Sequence, residues 1–310
     1  MTAQAEHRPS VGVIGLGIMG GLYARHLVEA GYTVFGYDVD ADRMAAFSEA
    51  GGEPEGSPAT VIAQADIVLT SLSSIDAFKA VLIDPSGPVG QAREGQLFIE
   101  TGTIPIEMKE AARDHLRTHG AEMIDTPVTG TRLHAETKDL VVYLSGEEAA
   151  CERARPVIEA WARDVRYVGP FGAGMKLKIV TNLLVAVHNV AAAEALALAK
   201  VAELDLRIVY DLINSGAATS KAFGFRGLMM LEDRTADATM RMDVFSKDLA
   251  IIGAFAGSVH AETPLFDSSA ELYQRALDQG IRTKDIAAVF DLLSHPDGAA
   301  SAAMPTKELT

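Results

Sequence analysis

The sequence has a single cysteine, Cys151. A disulfide framework needs pairs, so none is expected within the chain, and the count suits a reducing cytoplasm. Basic residues are scarce: Lys+Arg 27 stand against Asp+Glu 42, for a formal net charge of −15. That balance excludes the basic face that a nucleic acid or an anionic membrane surface requires. A clean membrane-spanning run is also lacking. The most apolar stretch, Ile179 to Ala199, is interrupted by Thr181, Asn182, His188, Asn189 and Glu194, more polar groups than a span tolerates. A helix apolar on most sides reads instead as buried between domains or subunits. The polar N-terminus (MTAQAEHRPS) reads as carrying no signal peptide.

What is present is an ordinary globular composition, 48% hydrophobic and 22% charged over 310 residues. At about 150 residues per domain that length predicts two domains. From residue 10 to about 168, β-rich runs (Val11–Ile14, Thr33–Tyr37, Ile67–Leu72, Leu97–Glu100, Glu122–Asp125, Leu140–Ser145, Val165–Val168) alternate with amphipathic segments (Met19–Ala30, Ala41–Glu49, Ile104–Thr118, Glu147–Ala162). The alternation predicts an α/β fold with a doubly wound, mostly parallel sheet of Rossmann type, and the closer spacing after Glu122 predicts an antiparallel edge. The strand signal ends at Gly172. Gly174 to about Glu203 reads as one long interdomain helix, followed by helical segments at Asp205–Ser215, Ala222–Leu231, Val244–His260 and Leu265–Gln279. The expectation is a dinucleotide-binding domain over 1–172 and an all-α domain over 173–310, with a frayed tail after Pro296.

The first strand ends in Gly15-Leu16-Gly17-Ile18-Met19-Gly20 and opens directly into a helix. In such a turn Gly15 makes the bend, Gly17 lets backbone approach a pyrophosphate, and Gly20 lets helix pack close to strand. The helix N-terminus offers N–H groups and a positive dipole end to the phosphates, with Ile18 and Met19 in its first turn. Asp38, 21 residues after Gly17, ends the second strand. A carboxylate there accepts the ribose hydroxyls of NAD and repels the 2′-phosphate of NADP. No arginine follows it: the next residues are Val39 and Asp40.

Four motifs, in order, resemble the β-hydroxyacid dehydrogenase family, which includes 3-hydroxyisobutyrate dehydrogenase and tartronate semialdehyde reductase. They are the glycine turn, Asp125-Thr126-Pro127-Val128-Thr129-Gly130-Thr131, Gly172-Ala173-Gly174 leading to Lys178 and Asn182, and Lys247-Asp248-Leu249. The resemblance implies that Thr129, Gly130 and Thr131 hold a substrate carboxylate, that Lys178 is the general acid/base, and that Lys247 reaches the cofactor and substrate. Independently of it, Lys178 and Asn182 lie four apart on a helical segment and share a face. A lysine in a half-closed apolar cleft has its charged form disfavoured and can exchange a hydroxyl proton, while Asn182 can hold the same hydroxyl. Lys176, two residues away, faces elsewhere and is expected to be solvated.

Threonine replaces the family's usual serine at 129 and glycine at 131, and Thr181 replaces the first of two asparagines after the lysine. The strand C-termini at Leu72 and Ser73 and at Glu100-Thr101-Gly102-Thr103 should face the dinucleotide, which makes Leu72, Ser73 and Thr103 candidate nicotinamide-ribose contacts. Arg132 adjoins the carboxylate loop and is a candidate for a second anionic group. The pairs His115/His119 and Met229/Met230, with His188, read as structural, and no metal is required.

The expected activity is hydride transfer between NAD and the hydroxyl-bearing carbon of a small β-hydroxy acid or the matching semialdehyde. The expected assembly is a homodimer or homotetramer in the cytoplasm. Alternatives are a γ-hydroxy acid or sugar-acid dehydrogenase, an imine reductase on the same scaffold, and a non-catalytic dinucleotide-binding reader. A reader has no use for a lysine–asparagine pair in its cleft.

Overall fold

The computed structural model describes residues 8–294. The chain divides into two compact units, Met1–Thr181 and Asn182–Thr310. Residues 1–7 and the tail after Pro296 lie outside the described residues.

In the first unit, strands β1 (Val11–Ile14), β2 (Val34–Tyr37), β3 (Glu53–Pro54), β4 (Ile67–Thr70), β5 (Leu97–Glu100), β6 (Glu122–Asp125), β7 (Val128–Thr129), β8 (Val141–Ser145) and β9 (Asp164–Gly169) form one sheet. Its order is β3-β2-β1-β4-β5-β6-β8-β7, with β9 paired to β8. Strands β1, β4 and β5 are buried at every residue, as parallel strands covered on both faces must be, which is why they read as near-continuous apolar runs, ending in Thr70 on β4 and Glu100 on β5. The chain leaves β1 in one direction for β2 and β3 and then returns to place β4 on the other side. The order therefore reverses between β1 and β4, and the crevice outside their C-terminal ends is where such sheets bind ligands.

Helices α1 (Ile18–Glu29), α2 (Ala41–Glu49), α3 (Pro58–Gln64), α4 (Ile75–Phe78), α5 (Ile106–Arg117), α6 (Arg132–Glu136) and α7 (Glu148–Glu159) belong to this unit. One apolar layer joins Val11, Val13, Leu27 and Trp161, the other Ile14, Val68, Phe98 and Leu116. The rings of Tyr23 and Trp161 meet with centroids 4.2 Å apart.

The expected antiparallel edge is made by β8 and β9, which run parallel to each other, with β8 antiparallel to β6 and β7. The fourth strand stops at Thr70 rather than Leu72. Strands β3 and β7, of two residues each, are too short to show a period. Helix α3 was not among the expected segments; Ser57 caps it by accepting the Thr60 N–H, and Pro58 occupies its first turn, a common helix opening.

Helix α8 (Ala173–Val201) runs through the division between the units. It is the one helix among the described residues long and apolar enough to cross a membrane. Two of its polar groups, Asn182 and Asn189, are buried inside the fold, while His188 and Glu194 are exposed. Buried Asn189 donates to Tyr273 Oη at 2.8 Å and to the Ile286 carbonyl at 3.0 Å. The second unit continues with α9 (Leu206–Ser215), a π-helical turn over Phe223–Gly227, α10 (Leu228–Leu231), α11 (Met242–Ser258), α12 (Pro264–Asp278) and α13 (Val289–Ser294). The single helix expected over Ala222–Leu231 is thus a π turn leading into α10. Asp285 organises the approach to α11 by accepting the Thr239 and Met240 N–H groups at 2.8 and 3.0 Å.

Candidate active site

The glycine turn follows β1 as the spacing requires. Gly15 has φ +94°, a left-handed conformation that favours glycine. A Cβ on Gly20 would stand 1.9 Å from the Gly15 carbonyl oxygen, so α1 can approach β1 only over a hydrogen atom. At Gly17 the nearest atom to such a Cβ is Arg43 Nη1, at 3.6 Å. The backbone there is open to a phosphate, with Ile18 exposed and Met19 half-buried beside it. These glycines fit a dinucleotide pyrophosphate.

Asp38 sits just past the C-terminal end of β2. Its Oδ2 accepts the Leu16 N–H at 2.7 Å, and its Oδ1 accepts the Asp40 N–H at 3.0 Å. These bonds tie the glycine turn to β2 and aim the carboxylate beside it. The immediate neighbours Val39 and Asp40 gave no sign of a cation, yet the first turn of α2 brings Arg43 Nη1 to 3.4 Å from both Asp38 oxygens. Arg43 is a site residue the sequence reading missed, because a helical turn, not adjacency, delivers it.

Leu72 and Ser73 follow β4 at the same sheet end, Leu72 half-buried and Ser73 exposed. Ser71 donates its N–H to the Ile14 carbonyl at 2.9 Å, holding this segment against the glycine turn. Thr103, half-buried, follows β5.

The Asp125–Thr131 segment is built from β6, β7 and the turn into α6. Thr129 Oγ1 donates to Tyr143 Oη on β8 at 2.9 Å. Gly130 has φ +140°, and Thr131 caps α6. Its N–H is donated to His134 Nδ1 at 3.1 Å, and its hydroxyl lies 2.9 Å from the same nitrogen. The threonine that replaces glycine at 131 therefore turns back into a local clasp. Tyr143 and His134 carried no sequence signal; strand pairing and a capping box place them. Arg132 is exposed and held by Glu136, Nε to Oε1 at 2.7 Å.

Lys178 and Asn182 lie one turn apart on α8, Lys178 half-buried and Asn182 buried, while Lys176 is exposed. Thr181 Oγ1 donates to the Lys178 carbonyl at 2.9 Å, a bond within the helix. In the second unit, Asn182 Nδ2 donates to Asp248 Oδ2 at 3.0 Å, and Lys247 Nζ stands 3.4 Å from Asp248 Oδ1. That hydrogen bond orients the Asn182 amide. Among the described residues no group of three or more His, Cys, Asp or Glu could hold a metal ion.

Two family models together cover nearly the whole chain. One, described as the NAD binding domain of 6-phosphogluconate dehydrogenase, matches residues 10–169. The other, described as NAD-binding of NADP-dependent 3-hydroxyisobutyrate dehydrogenase, matches residues 172–293. An L-threonate dehydrogenase of Cupriavidus necator is 33% identical over 91% of this chain and 95% of its own length. An NAD-dependent L-serine dehydrogenase of Pseudomonas aeruginosa is 27% identical over 93% and 99%. A solved 3-hydroxyisobutyrate dehydrogenase from Salmonella typhimurium superposes with a TM-score of 0.83 at 28% identity, covering 91% of this chain and 99% of that one. With the glycine turn, Asp38 and the lysine–asparagine helix in place, the chain belongs to the β-hydroxyacid dehydrogenase family, as an NAD-dependent oxidoreductase that moves hydride to or from the hydroxyl-bearing carbon of a small hydroxy acid.

Proposed function

We propose that the protein interconverts a three- or four-carbon hydroxy acid and its carbonyl product, with an acid of the threonate type first among the substrates. The observation that carries this reading is the pair Lys178 and Asn182, one turn apart on α8 behind a glycine-rich dinucleotide turn. The relative from Cupriavidus necator, named for L-threonate, supports the four-carbon size.

When bound, NAD supplies the hydride acceptor, reading from the pyrophosphate at Gly15, Gly17 and Gly20 past Leu72, Ser73 and Thr103. Lys178 Nζ takes the hydroxyl proton as hydride leaves the carbinol carbon, and returns it in the reverse direction. Asn182, its amide steadied by Asp248, holds the same hydroxyl. Thr129 and the Gly130 backbone hold the carboxylate, with Tyr143 fixing the Thr129 hydroxyl. Thr131 N–H joins them only when His134 releases it. Lys247 adds positive charge for an anionic substrate that a −15 chain repels at long range. We assign 1–172 to the dinucleotide domain and 173–310 to the helical domain.

The test is NAD reduction against 3-hydroxyisobutyrate, glycerate, 3-hydroxypropionate, 4-hydroxybutyrate, threonate and larger aldonates, with NADP in parallel. Turnover with NAD on a three- or four-carbon acid is expected. Silence across the panel, with NAD binding verified by thermal shift, overturns the substrate reading and directs the search to imines or to decarboxylation of sugar acids.

Asp38→Ala is expected to weaken NAD binding by about 1.5–3 kcal/mol, roughly 10–100-fold, as hydrogen bonds to a charged group are lost. It also leaves the Arg43 guanidinium without its Asp38 partner beside the ribose, so NADP should gain relative to NAD. An unchanged ratio of the two kcat/KM values removes Asp38 from the ribose site.

We further propose a homodimer or homotetramer in the cytoplasm, the second copy covering the second unit's exposed apolar side chains. Helix α9 carries no buried side chain, and Ile208 and Leu212 are 57% and 67% exposed, with Leu198 at 71% on α8. Ile208 and Leu212 stand one turn apart on α9, and exposed apolar surface of this kind marks an interaction site. Leu198→Glu combined with Leu212→Glu should shift the mass measured by light scattering to the monomer.

A further inference from the structure

The most heavily buried charges in the first unit lie outside the residues assigned above. Lys109 is fully buried on α5, in register with the buried Ala112 and Leu116, where an apolar residue would fill the space at less cost. Its Nζ stands 2.6 Å from Glu100 Oε2 and 2.6 Å from Asp125 Oδ1. Those carboxylates are the last residues of the paired strands β5 and β6, at the same end of the sheet as the glycine turn.

Each carboxylate uses its other oxygen on a backbone segment of the site. Glu100 Oε1 accepts the Gly102 N–H at 2.9 Å, which sets the turn into Thr103. Asp125 Oδ2 accepts the Met175 N–H at 2.8 Å, and the Ser145 hydroxyl donates to that carboxylate at 3.2 Å while accepting the Gly174 N–H at 3.0 Å. Met175 and Gly174 form the first turn of α8, and Lys178 is one turn further on. With Ala173 N–H donated to the Pro170 carbonyl and Lys176 N–H to the Gly172 carbonyl, every N–H of that first turn is held.

We propose that Lys109 is a positioning residue, acting through Asp125, Ser145 and Glu100 to fix the rotation of α8 that aims Lys178, and the turn that presents Thr103. The inference rests on Lys178 being the general acid/base. The charge balance agrees with the geometry. Burial disfavours the Lys109 ammonium, but Asp125 and Glu100 outweigh it and hold its pKa above the ordinary value. Burial holds Glu100 above the usual carboxylate range. The cluster thus keeps its cation, with a carboxylate on either side of it.

The test uses two variants, each compared with Lys178→Ala. Lys109→Met strips the cation from the cluster. Ser145→Ala removes only the hydroxyl that accepts from Gly174 and tests the same link if Lys109→Met does not fold. Both are read by kcat, by KM for NAD, and by the deuterium isotope effect on kcat with substrate labelled at the carbinol carbon. A misaimed lysine should lower kcat roughly 10–100-fold, leave KM for NAD near the parent value, and raise the isotope effect as hydride transfer becomes limiting. Parent kcat and isotope effect in folded Ser145→Ala overturn the inference while leaving the function intact if Lys178→Ala is inactive. A Lys178→Ala variant that keeps parental kcat overturns both.

Discussion

Lys178→Ala is expected to lower kcat by roughly 10²–10⁴-fold, the range for loss of a general acid/base, while NADH binding stays nearly unchanged. The separation follows from what each part of the chain holds. In the proposed function the dinucleotide is bound by the glycine turn and Asp38, at the ends of β1 and β2, whereas Lys178 lies on α8. Lys176 supplies the internal control: it shares the helix and the charge but is exposed. Lys176→Ala should leave kcat at the parental value. Equal losses in the two variants would indicate that bulk positive charge, not a placed proton carrier, is what α8 contributes. Full activity in Lys178→Ala would remove the lysine from the chemistry altogether.

The second large effect is steric. In Gly20→Ala the new methyl lies 1.9 Å from the Gly15 carbonyl oxygen and 3.0 Å from Ser71 Cβ. Backbone oxygen cannot swing aside as a flexible side chain would, so α1 must move away from β1. Overpacking of this kind costs about 1–3 kcal/mol or more, and here the displaced element is the one whose N-terminus is proposed to receive the pyrophosphate. Loss of stability and loss of NAD affinity should therefore appear together. Gly56→Ala is the comparison, since nothing lies within 4 Å of a Cβ there. Thermal unfolding with and without NAD separates the two outcomes. A cofactor-induced rise in Tm as large as the parent's would show that the turn survives the substitution.

Residues located by sequence spacing alone were legible in position; those brought together by folding were not. The glycine turn, Asp38, Lys178 and Asn182 are marked by position relative to a strand end or a helix turn, and the structure sets them on those elements. Arg43 was invisible because it reaches Asp38 only through the turn of α2. His134 and Tyr143 depend on a capping interaction and on the pairing of β7 with β8. Lys109 was hidden for a different reason. A lysine in an amphipathic helix reads as solvated, and only the registration of β5 against β6 shows that two carboxylates await it. The short strands β3 and β7 escaped because two residues show no periodicity, and β8 was expected at the edge without its mixed pairing.

The stacking of Tyr23 on Trp161 has a spectroscopic consequence. Trp161 is the only tryptophan in the chain and is fully buried in the first unit. Fluorescence excited selectively at the indole therefore reports the opening of the dinucleotide-binding layers alone, while far-ultraviolet circular dichroism sums over both units. Superimposable denaturation curves from the two probes would mark one cooperative transition. A dichroism change that begins before the emission shifts would show the helices of the second unit melting first.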